Sequence, residues 1–497
     1  MAVIVPRWEW RTFGTHFGIA ETRVAGLTPS AVQESVELYF LGGTGANVKV
    51  RDELMDIKVL REVNVDGLER WEPTMKQPFP LSAAEVAKVF ASLGLTAPQL
   101  NRDAYTFDEF IAEVVAPSGM LRAVRVRKRR VRYTVGGCTS ELTDVQAEGR
   151  TTRTIAIEGE DAAAVVSAVA SIGLDGYFNT NYSLGLQSLL EDEPERYAVI
   201  DVGTNSVKLH VGERDGTGSW RTIVDRSELT QLGEGLEKSG EVAPEAAERT
   251  VRAIAHMSHE ARRNGVRAIV AVGTAGLRIA RNAAAVLDAI RVQTGIRVQV
   301  IPGAEEGRLA YLAVKAWLRL PESALVVFDT GGGSTQFTFG QGAHVDEQFS
   351  VDVGAVRYTE RFGLAGTVAT DVLRDAFAAI SDDLSRIEGR PPPHTLVAMG
   401  GAVTNIAAVK HGLSKYDPDI IQGTVLDRDE IDRQIEMYRV REAAERRSIV
   451  GLQPKRAEVI LAGACIVRTV MDKLGQRAFT VSDRGLRHGV FVERFGG

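Results

Sequence analysis

Two glycine-rich segments constrain this chain most: YAVIDVGTNSVKLHVG, Tyr197–Gly212, and ALVVFDTGGGSTQFTFG, Ala324–Gly340. Each is an apolar, β-branched run that ends in an Asp. Glycine with small polar residues follows, and then alternation resumes. The pattern predicts strand, tight turn, strand, twice over. Glycine lets the backbone come close to a phosphate and present N–H groups to it. An Asp at each strand end supplies the oxygen ligands that magnesium takes. Two such turns facing each other would clamp a phosphate chain and its metal.

The rest of the chain sets the frame for that clamp. Its 497 residues imply two to four domains, and 44% hydrophobic with 25% charged residues is ordinary for a globular protein. A net charge of -6 argues against a general nucleic-acid coat but leaves room for a local basic site. The two cysteines, Cys138 and Cys465, have no metal-ligand spacing and read as buried thiols. The opening MAVIVPRWEW lacks the pattern of a secretory leader, and no apolar run is long enough for a membrane span. The expectation is a cytoplasmic protein with no membrane partner and no specific nucleic-acid partner. A homodimer stays open.

An acidic, Pro-containing stretch near residues 186–196 suggests a domain boundary. Beyond it, strands at 267–272, 297–301, 324–328, 395–399 and 478–481 alternate with helical patterns at 244–264, 305–318 and 455–474, an α/β architecture. Before it, the sequence reads as strands at 36–41, 47–51, 56–62, 68–72, 124–134 and 154–160 with a helix at 82–93, which suggests an antiparallel sheet or barrel. Basic residues alternate along those strands. Arg125, Arg127 and Arg129 share one face, and Lys49 and Arg51 share another. They form either a solvated surface or a cationic lumen suited to polyphosphate-like anions.

The C-terminal segments resemble the exopolyphosphatase and guanosine-pentaphosphatase family, within the actin and heat-shock chaperone superfamily. Besides the two turns, the resemblance is carried by AVGTAGLRIARNA (271–283), VIPGAEEGRLAYLAV (300–314), VAMGGAVTNIAAV (397–409) and VSDRGLRHGV (481–490), all in the family's order. It implies a two-lobed actin-like (ribonuclease H-like) fold, with lobes at 196–320 and 321–497. Hydrolysis of a phosphoanhydride needs charge neutralisation and an aligned water more than covalent chemistry. On this reading Asp329 holds a Mg2+ ion and Asp201 supports it. The backbones of Gly203, Thr204, Asn205 and Ser206, and of Gly331, Gly332, Gly333, Ser334 and Thr335, hold phosphate oxygens. Arg278 grips phosphate through its planar guanidinium. Glu306 matches the family's catalytic glutamate and would deprotonate the attacking water. Glu305 and Glu306 are equally well explained as first-turn acids on a helix dipole. One departure stands out: the family follows Gly-Gly-Gly-Ser-Thr with Glu, and this chain has Gln336.

Residues 1–190 resemble the CYTH superfamily of triphosphate tunnel enzymes. The segments that carry this are VELYFL (36–41), NVKVRDELMDIKVL (47–60), GLERWEP (67–73), the basic strand at 126–133 and the strand at 154–160. That implies a barrel whose cations hold triphosphate, here Arg11, Lys49, Arg51, Lys58, Arg127 and Arg129. Glu9, Glu69, Glu141, Glu158 and Glu160 are the remaining acids. The family's opening Glu-x-Glu-x-Lys becomes Arg7-Trp8-Glu9-Trp10-Arg11, which removes one metal ligand and points to binding without hydrolysis. The combined expectation is an exopolyphosphatase acting on inorganic polyphosphate. A guanosine pentaphosphate 5′-phosphohydrolase is the alternative, and a non-catalytic polyphosphate or nucleotide sensor a third reading.

Overall fold

The computed structural model describes residues 6–43, 45–215 and 220–496, so the first five residues of the opening segment lie outside it. The N-terminal part is a closed antiparallel barrel of eight strands: β1 Arg7–Gly14, β2 Ala31–Leu41, β3 Ala46–Arg51, β4 Leu54–Val63, β5 Glu69–Pro78, β6 Arg122–Val135, β7 Cys138–Ala147 and β8 Arg150–Gly159. Around the wall they run β1-β8-β7-β6-β2-β3-β4-β5. Closure leaves no unpaired sheet edge. The strand β7, CTSELTDVQA, escaped the sequence reading because its inward face mixes polar and apolar residues, Glu141 and Thr143 with Val145 and Ala147, so it shows no clean alternation.

The barrel buries apolar residues on parts of its outer wall and carries polar residues along much of its lumen. Val48, Val50, Met55 and Ile57 on β3 and β4 point outward and are buried under α1, Ala83–Ser92, through Val86, Val89 and Phe90. A Ser82–Glu85 capping box starts that helix. One part of the lumen is filled with apolar side chains. Phe13, Tyr39, Leu41, Val124 and Val126 pack there against Tyr182 and Leu186 of α2, Tyr182–Glu191. That packing fixes the register of β6. With Val124 and Val126 inward, the two-residue period puts Lys128 and Arg130 inward, and Arg125, Arg127 and Arg129 onto the exposed outer wall. The expectation that Arg127 and Arg129 face the lumen is therefore corrected by one residue of register.

The C-terminal part holds two mixed sheets built on one plan. The first contains β9 Glu195–Val202, β10 Ser206–Arg214, β11 Trp220–Leu229, β12 Ala268–Gly273 and β13 Val298–Val300, ordered β11-β10-β9-β12-β13. The second contains β14 Ala324–Thr330, β15 Thr335–Gln341, β16 His344–Val351, β17 Thr395–Met399, β18 Val425–Asp427 and β19 Ala478–Val481, ordered β16-β15-β14-β17-β19-β18. In each, antiparallel hairpins lead into strands paired in parallel, and those pairings need helical crossovers. Both glycine turns cap the carboxyl end of a central strand, β9 and β14, where α/β sheets bind ligands. This is the actin-like α/β fold.

The helices that matter for the site are α3 Pro244–Arg263, α4 Gly303–Leu318, α5 Ala355–Phe362, α6 Gly401–His411, α7 Ile460–Lys473 and α8 Leu486–Phe495. The helix α7 is buried almost all round, which its apolar sequence requires. The last helix, α8, packs on α4 so closely that Gly489 lies against the Leu309 carbonyl. A Cβ at Gly489 would sit 1.8 Å from that oxygen. Among the described residues, no helix is long and apolar enough to cross a membrane.

Candidate active site

The two glycine turns do present backbone donors, though not all of those the motif suggests. The Gly203 N–H donates to Ser206 O at 3.0 Å and the Gly331 N–H to Ser334 O at 2.9 Å, so both are consumed in closing their own turns. The neighbouring carbonyls are anchored. Thr204 O accepts from Gly233 N–H at 2.8 Å, and Asn205 O accepts from Thr230 and Gln231 N–H. Gly331 O and Gly332 O accept from Ala355 N–H at 3.0 Å and Val356 N–H at 2.8 Å, the orphan donors that open α5. In a planar trans peptide, N–H and C=O point opposite ways. Anchoring these four carbonyls therefore turns the N–H groups of Asn205, Ser206, Gly332 and Gly333 away from the protein body. Gly354 permits the second anchoring, since a Cβ there would lie 2.3 Å from Gly332 O.

The Thr335 side chain adds no donor to the turn: its hydroxyl is fully buried and donates to Val353 O at 2.6 Å, which ties β15 to the following loop. Gln336 lies opposite Asp329 in the β14–β15 register, on the exposed face. Glutamine there puts no carboxylate on β15 opposite Asp329.

The acids of the cleft are tied together by a residue that the sequence reading missed. Lys208 pairs with Asp201 across β9 and β10, with Nζ 3.5 Å from Asp201 Oδ2. The other oxygen, Asp201 Oδ1, is buried and has no hydrogen-bond partner among the described residues. Asp329 opens to the cleft but is enclosed by protein mass around it. That enclosure pushes its pKa up, and Lys208 pulls against it. The alternation in SVKLHV carried a signal for Lys208, because it places Lys208 on the Asp201 side of the hairpin.

Glu305 and Glu306, ambiguous in sequence, separate in space. Glu305 is held by Arg308 at 2.7 and 2.8 Å, and Arg308 also pairs with Glu493 of α8. That network fastens α4 to α8. Glu306 instead faces Arg278, whose Nη1 is 3.7 Å from Glu306 Oε2 and donates to Ile301 O at 2.7 Å. Burial and the nearby Asp201 carboxylate raise the pKa of Glu306, while Arg278 and Lys208 oppose the rise. A carboxyl tuned upward is better matched to taking a proton near neutrality. The later glycine turn closes the floor. A Cβ at Gly400, φ 100°, would lie 2.6 Å from Asp329 Oδ1. The Arg456 guanidinium, also missed in sequence, lies over Gly401 at the start of α6, where a Cβ would meet Nη2 at 2.5 Å.

The barrel lumen forms a second polar site, a cavity of about 190 Å³. Arg11, Lys49, Arg51 and Lys58 line it as expected, and Lys128, Arg130 and Arg132 join them. Arg11 is held by Glu9 at 2.7 Å and Glu141 at 3.1 Å. Glu158 also lines the cavity, Glu69 lies opposite Glu9 across the β1–β5 ladder, and Glu160 is exposed beyond the end of β8.

Comparison with known proteins covers the C-terminal part. Residues 193–496 match the model of the Ppx/GppA phosphatase family. Exopolyphosphatase 2 of Mycobacterium tuberculosis is 29% identical over 330 residues, 61% of this chain and 99% of the relative. Exopolyphosphatase 1 of Mycobacterium leprae is 26% identical over 303 residues, 60% of this chain and 89% of the relative. A bifunctional 3-dehydroquinate synthase/phosphatase of Fusobacterium nucleatum is 26% identical over 307 residues, and this chain spans only 46% of its length. The crystal structure of the Aquifex aeolicus Ppx/GppA phosphatase, type II variant, aligns with a TM-score of 0.57 at 32% identity, covering 61% of this chain and 99% of that one.

Proposed function

This chain belongs to the Ppx/GppA phosphatase family, and from that premise we propose that it is an exopolyphosphatase, releasing terminal orthophosphate from inorganic polyphosphate. The observation that carries the reading is Glu306: a carboxyl with a raised pKa, freed from the α4–α8 network and set beside Arg278 and Asp201. The N–H groups of Asn205, Ser206, Gly332 and Gly333 receive the oxygens of the terminal phosphoryl group. Arg278 neutralises charge on it, and Arg456 at the α6 start takes a neighbouring phosphate. Glu306 orients the attacking water and accepts its proton, and the shortened chain leaves as the phosphoanhydride oxygen departs in line.

The donor set suits Mg2+. An orphaned buried Asp201 oxygen and the Asp329 carboxylate are hard oxygen ligands, and these two residues would hold the ion. When bound, Mg2+ would neutralise charge developing on the phosphate oxygens. The barrel supports the polymer over guanosine pentaphosphate as substrate. A cationic lumen in the same chain would hold a second stretch of polyanion and raise its effective concentration at the cleft.

Phosphate release from polyphosphates of defined length, compared with guanosine pentaphosphate and ATP, tests the assignment. Faster turnover of polyphosphate is expected. Preference for guanosine pentaphosphate would move the chain to the family's other activity, and no release from any of them would make it a sensor. For the lumen, Arg51→Met and Lys58→Met should weaken binding of long polyphosphate, while Arg127→Ala and Arg129→Ala on the outer wall should leave it unchanged. The reverse pattern would remove the lumen from the account.

A further inference from the structure

The lumen contains an anion of its own. Glu37 on β2 is completely buried, and both of its oxygens are saturated with donors. Tyr39 Oη at 3.0 Å, Lys49 Nζ at 3.0 Å and Lys128 Nζ at 2.9 Å donate to Oε2. Arg130 and Ser35 donate to Oε1. Burial alone would raise the pKa of Glu37. Lys128, Lys49 and Arg130 overcome that and hold it far below the ordinary carboxylate range, so it is ionised.

The consequence is competition. A phosphoryl group entering this part of the lumen needs the donors of Lys49, Lys128 and Arg130, and Glu37 already engages all three. Lys128 has little left to offer: it also donates to Tyr39 Oη and lies 3.7 Å from the centroid of the Tyr182 ring. Lys58 and Arg132, also lining the cavity, have no carboxylate within 4 Å among the described residues. The lumen is therefore divided between cations in direct contact with a carboxylate and, in Lys58 and Arg132, cations outside any such close pair, with Glu158 feeling Lys58 only at longer range.

We propose that Glu37 is a built-in counter-anion that makes the lumen selective for linear oligophosphate and excludes single phosphate or sulfate ions. A monovalent or divalent oxyanion does not carry enough charge to compete with a carboxylate fixed among three cations. An oligophosphate anchors first on Lys58 and Arg132 and brings several charges to bear on the Glu37 cluster. The proposal rests on the reading of the lumen as an oligophosphate site.

The test is calorimetric titration of the full chain with tripolyphosphate and, separately, with orthophosphate, in a Glu306→Gln background that keeps the ligand intact. Glu37→Gln should bind tripolyphosphate at least tenfold more tightly and should acquire measurable orthophosphate binding. Glu37→Asp keeps the counter-charge that the buried cations need but draws it back from Lys49 and Lys128. It should tighten binding at least threefold, and it keeps the test valid if the Gln variant is unstable. Unchanged or weaker tripolyphosphate binding in both variants would overturn the role of Glu37. A parallel Lys58→Met protein separates the two readings. Lost affinity there keeps the ligand in the lumen even if Glu37 proves irrelevant, whereas unchanged affinity removes the ligand from the lumen and overturns the proposal with it.

Discussion

Replacing Gly489 by Ala gives the sharpest prediction, because helix propensity and the packing of α8 on α4 point in opposite directions. In the interior of an exposed helix, Gly→Ala normally stabilises by about 1 kcal/mol. Here the new Cβ would lie 1.8 Å from Leu309 O and 2.5 Å from Leu309 C, both backbone atoms that no rotamer change can move. Relief of the clash requires α4 and α8 to separate by roughly 1.5 Å, in an interior packed too tightly to absorb it. Overpacking of this kind costs about 1–3 kcal/mol. Glu306 lies three residues before Leu309 on α4, so it moves with the helix. A displacement of about 1 Å in a reacting group costs on the order of 100-fold in rate. The account therefore predicts a folded protein of lower stability, with kcat down roughly 100-fold and KM changed much less. Chemical denaturation and initial-rate phosphate release on polyphosphate measure the two effects. A Gly489→Ala protein with wild-type turnover and equal or higher stability would refute the positioning argument.

Three further outcomes follow from the same geometry. Burial and Asp201 raise the pKa of Glu306, and a base must be ionised to act, so kcat should rise with pH along a limb lying above the ordinary glutamate pKa of 4.5. Arg278→Gln removes a cation that opposes the rise, so the limb should move to higher pH; a limb that stays in place or moves lower would contradict the pairing. Thr335→Val should lower stability by about 0.5–1.5 kcal/mol through loss of the bond to Val353 O, with kcat and KM unchanged, and a large kinetic defect would place the hydroxyl in the site. Chelation should abolish phosphate release and added Mg2+ should restore it, and Asp329→Asn should raise the Mg2+ concentration needed. Full activity in chelator would remove the metal from the account.

Much of the architecture could be read from the sequence because local and global signals agree there. Apolar runs ending in Asp-x-Gly and Asp-Thr-Gly leave few alternatives to strand and turn, and both turns lie where expected. The failures share a physical cause. In β6 the run RVRKRR puts cations on both strand faces, so alternation carries no orientation. The decision comes from Val124 and Val126, which pack against a helix some sixty residues later in the chain. Glu305 and Glu306 have identical local credentials, and only Arg308 and the distant Glu493 tell them apart. The Gly-Gly-Gly-Ser-Thr motif does not say which groups its own turn consumes. Gly331 N–H and the Thr335 hydroxyl are used internally, by partners that the motif does not contain. Lys208 was within reach, since its register opposite Asp201 follows from the hairpin itself.

The central claim is that Glu306 is the base of a phosphoanhydride hydrolysis. Phosphate release and polyphosphate affinity measured on the same Glu306→Gln protein test it most directly. The account predicts turnover reduced about 10²–10⁴-fold, as loss of a general base requires, with polyphosphate still bound. Turnover within a few-fold of wild type in that protein would contradict it.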